Sequence, residues 1–137
     1  MAWVVEFAEE FEDEFDALPE SVQDEIYARA KLLEQFGPQL GRPTVDTLKD
    51  SKHSNLKELR FNVEGGVWRT AFAFDPDRKA MLLVAGDKAG EDQAKFYRDL
   101  IQKADDRFDA HLARIARKKA EEAKAKAGQH RAKRKRR

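Results

Sequence analysis

Cysteine is absent from this 137-residue chain, and long apolar runs are absent as well. Without cysteine there is no disulfide framework, which is compatible with a reducing compartment. No apolar run approaches the ~20 residues of a membrane-spanning helix, and the first residues lack the basic start of a signal peptide. We therefore expect a soluble, cytoplasmic protein with a single modest core.

Signatures of several enzyme classes are missing too. The three histidines are not grouped with carboxylates at the spacing of metal ligands, so we expect no metal site. The chain also has no glycine-rich phosphate loop, serine-nucleophile signature or dinucleotide fingerprint. These absences predict a protein that works without a cofactor.

Positive charge is missing from the first part of the chain. Every charge in residues 6–25 is negative, and Lys and Arg are absent until Arg29. From Arg114 onward the balance reverses, and only Glu121 and Glu122 interrupt a dense basic series. The net charge of +1 thus hides a dipolar molecule with a basic tail. The tail is either a solvated, fraying helix end or an arm that binds polyanions.

Hydrophobic periodicity predicts a small α+β domain. We expect an antiparallel sheet with an N-terminal helical hairpin and a C-terminal helix, all helices packing on one side of the sheet. The expected boundaries are a strand at 3–7, two helices meeting near Pro19 and ending at Gly37, a short strand at 45–48, strands at 55–63, 67–75 and 79–85, and a helix from about Glu91 whose apolar stripe ends at Ala116.

Two arginines are expected on one face of that sheet. Apolar and polar residues alternate around Arg60 and around Arg69, as in half-buried strands. A turn at residues 65–66 makes the two arginines diagonal neighbours, whereas a turn at residues 64–65 places them directly opposite. Either register leaves both guanidinium groups on the same face, which we expect to stay open. Like charges across strands are mildly destabilising, so the pair implies carboxylate partners or an anionic ligand.

An ordered series of short motifs resembles the RelE/ParE toxin superfamily, in particular the HigB-like, phage-derived branch of type II toxin-antitoxin systems. The resemblance runs over residues 3–112 and implies a toxin domain at residues 1–112, followed by a basic helical or disordered tail at residues 113–137. The motifs that carry it are Leu56-Lys57-Glu58-Leu59-Arg60-Phe61, Val67-Trp68-Arg69-Thr70-Ala71-Phe72, Leu82-Leu83-Val84-Ala85-Gly86-Asp87-Lys88, Phe96-Tyr97 and the helix through Ala104-Asp105 and Arg107-Phe108.

The resemblance implies a metal-independent, ribosome-associated mRNA endonuclease that a helix-turn-helix antitoxin holds inactive. Such an enzyme directs the 2′-OH at the adjacent phosphate, which requires a base, cations and an acid. By position, Arg60 and Arg69 would clamp the phosphate, and Lys88 would be a third cation or the general acid. Glu58 would be the base or simply neutralise Arg60, and Tyr97 would stack on a nucleobase or share in proton transfer. The residues predicted to bind RNA are Lys57, Arg131, Lys133 and Arg134.

Two other functions remain open at this stage. ParE relatives share the fold but lack the nuclease residues and block DNA gyrase, so the fold alone does not fix the activity. The chain could also be a plain nucleic-acid-binding module whose affinity comes from the tail.

Overall fold

A computed structural model describes the backbone of residues 3–135 and the side chains of residues 3–129. The predicted order of elements is confirmed, with a short 3-10 helix (Gly37–Gln39) after the second α-helix. The helices and strands are β1 (Val4–Phe7), α1 (Glu9–Asp16), α2 (Glu20–Phe36), β2 (Val45–Thr47), β3 (Lys57–Val63), β4 (Gly66–Phe74), β5 (Lys79–Asp87) and α3 (Gln93–Lys135).

The five strands form one sheet in the order β1-β5-β4-β3-β2. Strands β2 to β5 pair antiparallel as predicted, whereas β1 runs parallel to β5, so the sheet is mixed. Tight turns fix the direction of β3, β4 and β5 because hairpin neighbours must be antiparallel. No such turn links β1 to β5, since the helical hairpin and three strands intervene along the chain.

The β3–β4 turn consists of Glu64 and Gly65. Both have positive φ angles, 50° and 81°, as a two-residue type I′ turn requires. Val63 therefore pairs with Gly66, and Arg60 lies directly opposite Arg69. Of the two registers open at the sequence level, the structure adopts the one in which the arginines face each other.

Helices cover both faces of the sheet, so the prediction of one-sided packing was wrong. Helix α2 covers the sheet face on which Phe61 lies, as shown by its Arg29 guanidinium, which stacks 5.0 Å from the centroid of the Phe61 ring. Helix α3 lies on the opposite face, where a Cβ on Gly86 would come within 3.0 Å of Phe96. The arginine face is consequently half covered. An apolar stripe tells which side of a helix is buried, but not against which sheet face it packs.

Helix α3 has a buried half and an exposed half. Its buried residues are Leu100, Ile101, Ala104 and Phe108. Every described side chain from residue 116 to 129 is exposed, yet the helix continues to Lys135 instead of fraying after Ala116. Alanine, lysine, arginine and glutamate are strong helix formers, which accounts for the continuation. None of the helices within residues 3–135 combines the length and apolar character needed to cross a membrane.

Candidate active site

Glu58 is the centre of a cluster of polar side chains between β3, β4 and α3. The residue is only 4% exposed. Its Oε1 accepts a hydrogen bond of 2.8 Å from the Tyr97 hydroxyl and lies 3.1 Å from Arg69 Nε. Burial raises the pKa of Glu58 above its ordinary 4.5, and the Tyr97 hydrogen bond and neighbouring cations limit the rise. A carboxylate with a raised pKa is suited to accept a proton from a hydroxyl.

Arg69 lies behind Glu58 and is the buried partner of its carboxylate. The arginine side chain is 7% exposed, and its Nη1 donates a 2.8 Å hydrogen bond to the Trp68 carbonyl. The Nε–H is not aimed at Glu58, so the contact is an ion pair without a hydrogen bond. Thus the paired arginines do have a carboxylate partner. Direct contact of Arg69 with a phosphate stays a prediction.

Arg60 is more accessible and lies between two carboxylates. Its Nε is 4.0 Å from Glu58 Oε1, and its Nη1 is 3.8 Å from Asp46 Oδ2. Both separations exceed hydrogen-bond length, so these donors stay available to a ligand. The Arg60 side chain is 36% exposed, so it is in contact with solvent while it lies near both carboxylates.

Asp46 is a residue that sequence reasoning missed. It lies on β2 directly opposite Glu58, and the backbone N–H of Thr47 with the Arg42 guanidinium lowers its pKa below the ordinary 3.8. The alternation in residues 45–47 carried the signal. To place Asp46 beside Glu58, one must also know that β2 pairs with β3. The sequence of the intervening loop, residues 48–56, does not reveal that pairing.

Lys88 and Tyr97 complete the cluster from the end of β5 and the first turns of α3. The Lys88 Nζ lies 5.3 Å from the centroid of the Tyr97 ring. Burial and the nearby Arg69 charge lower the pKa of Lys88 below 10.5. Burial and the hydrogen bond to Glu58 raise the pKa of Tyr97 above 10.0. Lys88 therefore releases a proton more readily than an ordinary lysine, while Tyr97 retains its own.

An open groove of about 1100 Å³ passes over this cluster, between α3 and the loop that follows β2. The loop is fastened to α3, because Ser51 donates a hydrogen bond to Asp105 and His53 contacts Asp109 at 2.8 Å. The groove residues include Glu58, Arg60, Lys88 and Tyr97, with Lys49, Lys52, Arg98, Gln102 and Asp106 farther along. Both cations and carboxylates line the groove, and its size suits a segment of a polymer.

The structure thus brings together all five residues predicted from sequence as catalytic: Glu58, Arg60, Arg69, Lys88 and Tyr97. Lys57 is adjacent to Glu58 in β3, so its side chain points to the other sheet face, away from the groove. The side chains of the tail residues predicted to bind RNA lie outside the described part: Arg131, Lys133 and Arg134. Among the described residues, no group of three His, Asp or Glu side chains is placed to hold a metal ion.

Comparison with known proteins identifies relatives of the folded domain. Residues 13–109 match the family model "Phage derived protein Gp49-like". "Putative toxin HigB2" of Mycobacterium tuberculosis is 43% identical over 104 residues, which are 75% of this chain and 51% of that protein. "Putative toxin HigB3" of the same organism is 44% identical over 99 residues, which are 72% of this chain and 84% of that protein. The chain therefore spans about half the length of HigB2 and most of HigB3.

A solved structure shows the same fold. A mutant of the E. coli toxin RelE in the free state matches with a TM-score of 0.52 and 12% identity, over 75% of this chain and 97% of RelE. The family model accounts for well over half of the chain, and HigB3 matches over most of its own length. The chain therefore belongs to the phage-derived, Gp49-like family of HigB-like toxins, and it has the RelE fold.

Proposed function

We propose that this protein is the toxin of a toxin-antitoxin system and that it cuts mRNA with its own side chains. The observation that carries the proposal is the convergence of Glu58, Arg60, Lys88 and Tyr97 on one wall of an open groove, with Arg69 buried behind them. Cleavage of RNA by its 2′-OH needs a base, a cation and an acid within reach of one phosphate. The groove wall offers one candidate for each.

In the proposed reaction, Glu58 accepts the proton of the 2′-OH as that oxygen attacks the adjacent phosphorus. Arg60 stabilises the negative charge that develops on the non-bridging oxygens. The bond from phosphorus to the 5′-oxygen then breaks, and Lys88 gives a proton to that oxygen. The products are a 2′,3′-cyclic phosphate and a 5′-hydroxyl. Arg69 acts through Glu58, because its buried charge favours the ionised carboxylate.

Tyr97 has two tasks in this scheme. Its hydroxyl holds the Glu58 carboxylate in one orientation through their 2.8 Å hydrogen bond. Its ring lies on the groove wall beneath Lys88, where a nucleobase can stack. We assign it to positioning of the base and of the substrate.

The proposal extends to the partners. The HigB relatives are named as toxins, and a toxin that degrades transcripts needs a neutralising antitoxin in the same cell. We propose a helix-turn-helix antitoxin, action in the cytoplasm, and mRNA on the ribosome as the substrate. Failure to co-purify with the helix-turn-helix product of an adjacent gene would contradict the antitoxin assignment.

The direct test is a map of transcript 5′ ends after brief expression of the wild type and Arg60→Ala. We expect wild-type cleavage within translated frames and a loss of roughly 100-fold or more in the variant, since charge-stabilising donors contribute about 10²–10³ in rate. Lys31→Ala is the matched control, because Lys31 is an exposed cation on α2, away from the groove. Circular dichroism checks that all three proteins are folded.

Intact transcripts in arrested cells would refute the nuclease proposal. DNA supercoiling assays with purified gyrase would then be the next measurement, because ParE-type inhibition uses the same fold.

A further inference from the structure

The second half of α3 extends beyond the folded domain and is here termed the basic arm (residues 116–135). Among the described residues, the last ion pair between the arm and the domain joins Lys119 Nζ to Asp77 Oδ1 at 3.4 Å. All described side chains of the arm, residues 116–129, are exposed. At about 1.5 Å per residue, the part beyond Lys119 is roughly 24 Å long. The described side chains beyond Lys119 are therefore accessible to a partner.

The amino-acid composition of the arm favours binding to phosphate groups over binding to an apolar surface. Residues 120–137 contain eight Lys and Arg but only two Glu. Alanine is the only apolar residue type from 116 to 137, so the arm has no apolar stripe for a coiled coil or for a hydrophobic groove on another protein. A helix that is polar all round and strongly basic is complementary to a polyanion.

The basic arm also lies outside the residues that match the family model. The family model ends at residue 109, and the RelE match covers 75% of this chain although it covers 97% of RelE. The groove residues all belong to the shared part. The arm thus extends beyond the matched domain and supplies none of the described groove residues.

We propose that the basic arm binds the phosphate backbone of double-stranded RNA and so holds the toxin on structured RNA while the groove takes a single strand. Duplex RNA is recognised mainly through its phosphates, its 2′-hydroxyls and its shape, which fits a helix that offers charge without base-reading groups. The inference rests on the proposed function only in taking RNA as the polyanion.

The test measures binding of the full chain to a 20-base-pair RNA hairpin by fluorescence anisotropy across a salt series. All proteins carry Arg60→Ala, so that cleavage does not intervene. Lys124→Gln/Lys126→Gln removes two positive charges, and the matched variant Glu121→Gln/Glu122→Gln removes two negative charges from the same segment. Glutamine preserves helix propensity in both.

We expect the lysine variant to bind more weakly and the magnitude of its salt slope to fall by about 2, since each phosphate-contacting lysine contributes about 1. The glutamate variant should bind more tightly than the reference. Weaker binding by both variants would show that affinity does not follow the sign of the charge removed, and would overturn the proposal. Identical binding by all three proteins would overturn the proposal, as would tighter binding to polyglutamate than to the hairpin.

Failure of this inference is distinguishable from failure of the nuclease proposal. A wild-type protein that leaves transcripts intact but shows lysine-dependent hairpin binding would refute the nuclease and support the arm. A protein that cleaves transcripts, but whose affinity for the hairpin does not change when the arm charges are removed, would support the nuclease and refute the role of the arm.

Discussion

At Glu58, stability and catalysis oppose each other. Burial raises the pKa of this carboxyl in the folded protein, so the folded state binds the proton more tightly than the unfolded state does. The resulting stabilisation is fully present below the unfolded pKa and is lost as pH rises through the folded pKa. Near neutral pH the reaction requires Glu58 in its ionised form, and burying that ionised carboxylate lowers the free energy of unfolding.

Replacing Glu58 with glutamine should separate these two effects. Glu58→Gln keeps an oxygen for the Tyr97 hydroxyl but cannot accept the substrate proton, so cleavage should fall by about 10²–10⁴-fold. Relative to this variant, the wild type should lose free energy of unfolding as pH rises from the ordinary carboxyl range through the raised folded pKa. Urea titrations at a series of pH values measure the difference. Glu12→Gln, at an exposed position in α1, is the control, and a Glu58→Gln curve parallel to the wild type would contradict the assignment.

The role of Lys88 as an acid can be told apart from a role as a mere cation. Lys88→Arg keeps the positive charge but does not release a proton near neutral pH, so cleavage should fall by about 100-fold or more. A substrate with sulfur in place of the 5′-bridging oxygen has a leaving group that needs no acid. That substrate should be cleaved by Lys88→Arg nearly as fast as by the wild type. Unchanged cleavage of ordinary RNA by the variant would make Lys88 a cation only.

Alternation along β3 and β4 was enough to predict that Arg60 and Arg69 share a face. Their different burial was not predictable, because it depends on where α3 crosses the sheet. Arg69 is covered and paired with Glu58, whereas Arg60 remains at the groove. Residue patterns thus indicated which side chains meet, and tertiary packing decided which of them a substrate can reach.

Among the secondary structure elements, those fixed by local signals were predictable. Tight turns and strand alternation gave β3, β4 and β5, and the glycine and proline at residues 37 and 38 marked the end of α2. The parallel pairing of β1 and the sheet face chosen by α3 depend on contacts between distant residues. No short-range pattern in the sequence encodes them.

Gly37, at the end of α2, has no room for a side chain. It has a φ of +56°, and a Cβ there would lie 2.2 Å from Trp3 Nε1. Gly37→Ala should therefore displace Trp3 from Phe74, 5.1 Å away between ring centroids, and cost about 1–3 kcal/mol of stability. Gly128→Ala is the matched control, because a Cβ there has open space inside a helix and should raise helix content. Thermal unfolding followed by circular dichroism tests both, and an unchanged midpoint for Gly37→Ala would contradict the packing argument.

At the scale of the whole molecule, the charge asymmetry of the sequence is partly neutralised within the fold. Arg107 and Arg114 of α3 pair with glutamates of the acidic helix α1. These pairs link the C-terminal helix to the N-terminal part of the chain. The acidic segment of residues 6–25 is therefore partly committed to α3, and only its remaining carboxylates are available to a basic partner.

The two arginines that join these helices should contribute very differently to stability. Arg107 is 15% exposed, makes hydrogen bonds of 2.8 and 2.6 Å to Glu14, and also donates one of 2.8 Å to the Leu83 carbonyl of β5. Arg107→Met should therefore lower the free energy of unfolding by about 2 kcal/mol, because charge-assisted bonds are lost and a carbonyl is left without its donor.

Arg114 is 33% exposed and is 3.2 Å from Glu10 and 3.6 Å from Glu9, so Arg114→Met should cost less than about 1 kcal/mol. Urea denaturation in low salt and in 1 M salt compares the two variants. High salt should remove most of the Arg114 effect by screening, while the Arg107 effect persists through its bond to β5. Equal losses that vanish together in salt would show that both arginines act only as surface charges, and that the Leu83 contact does not help to fix α3 on the sheet.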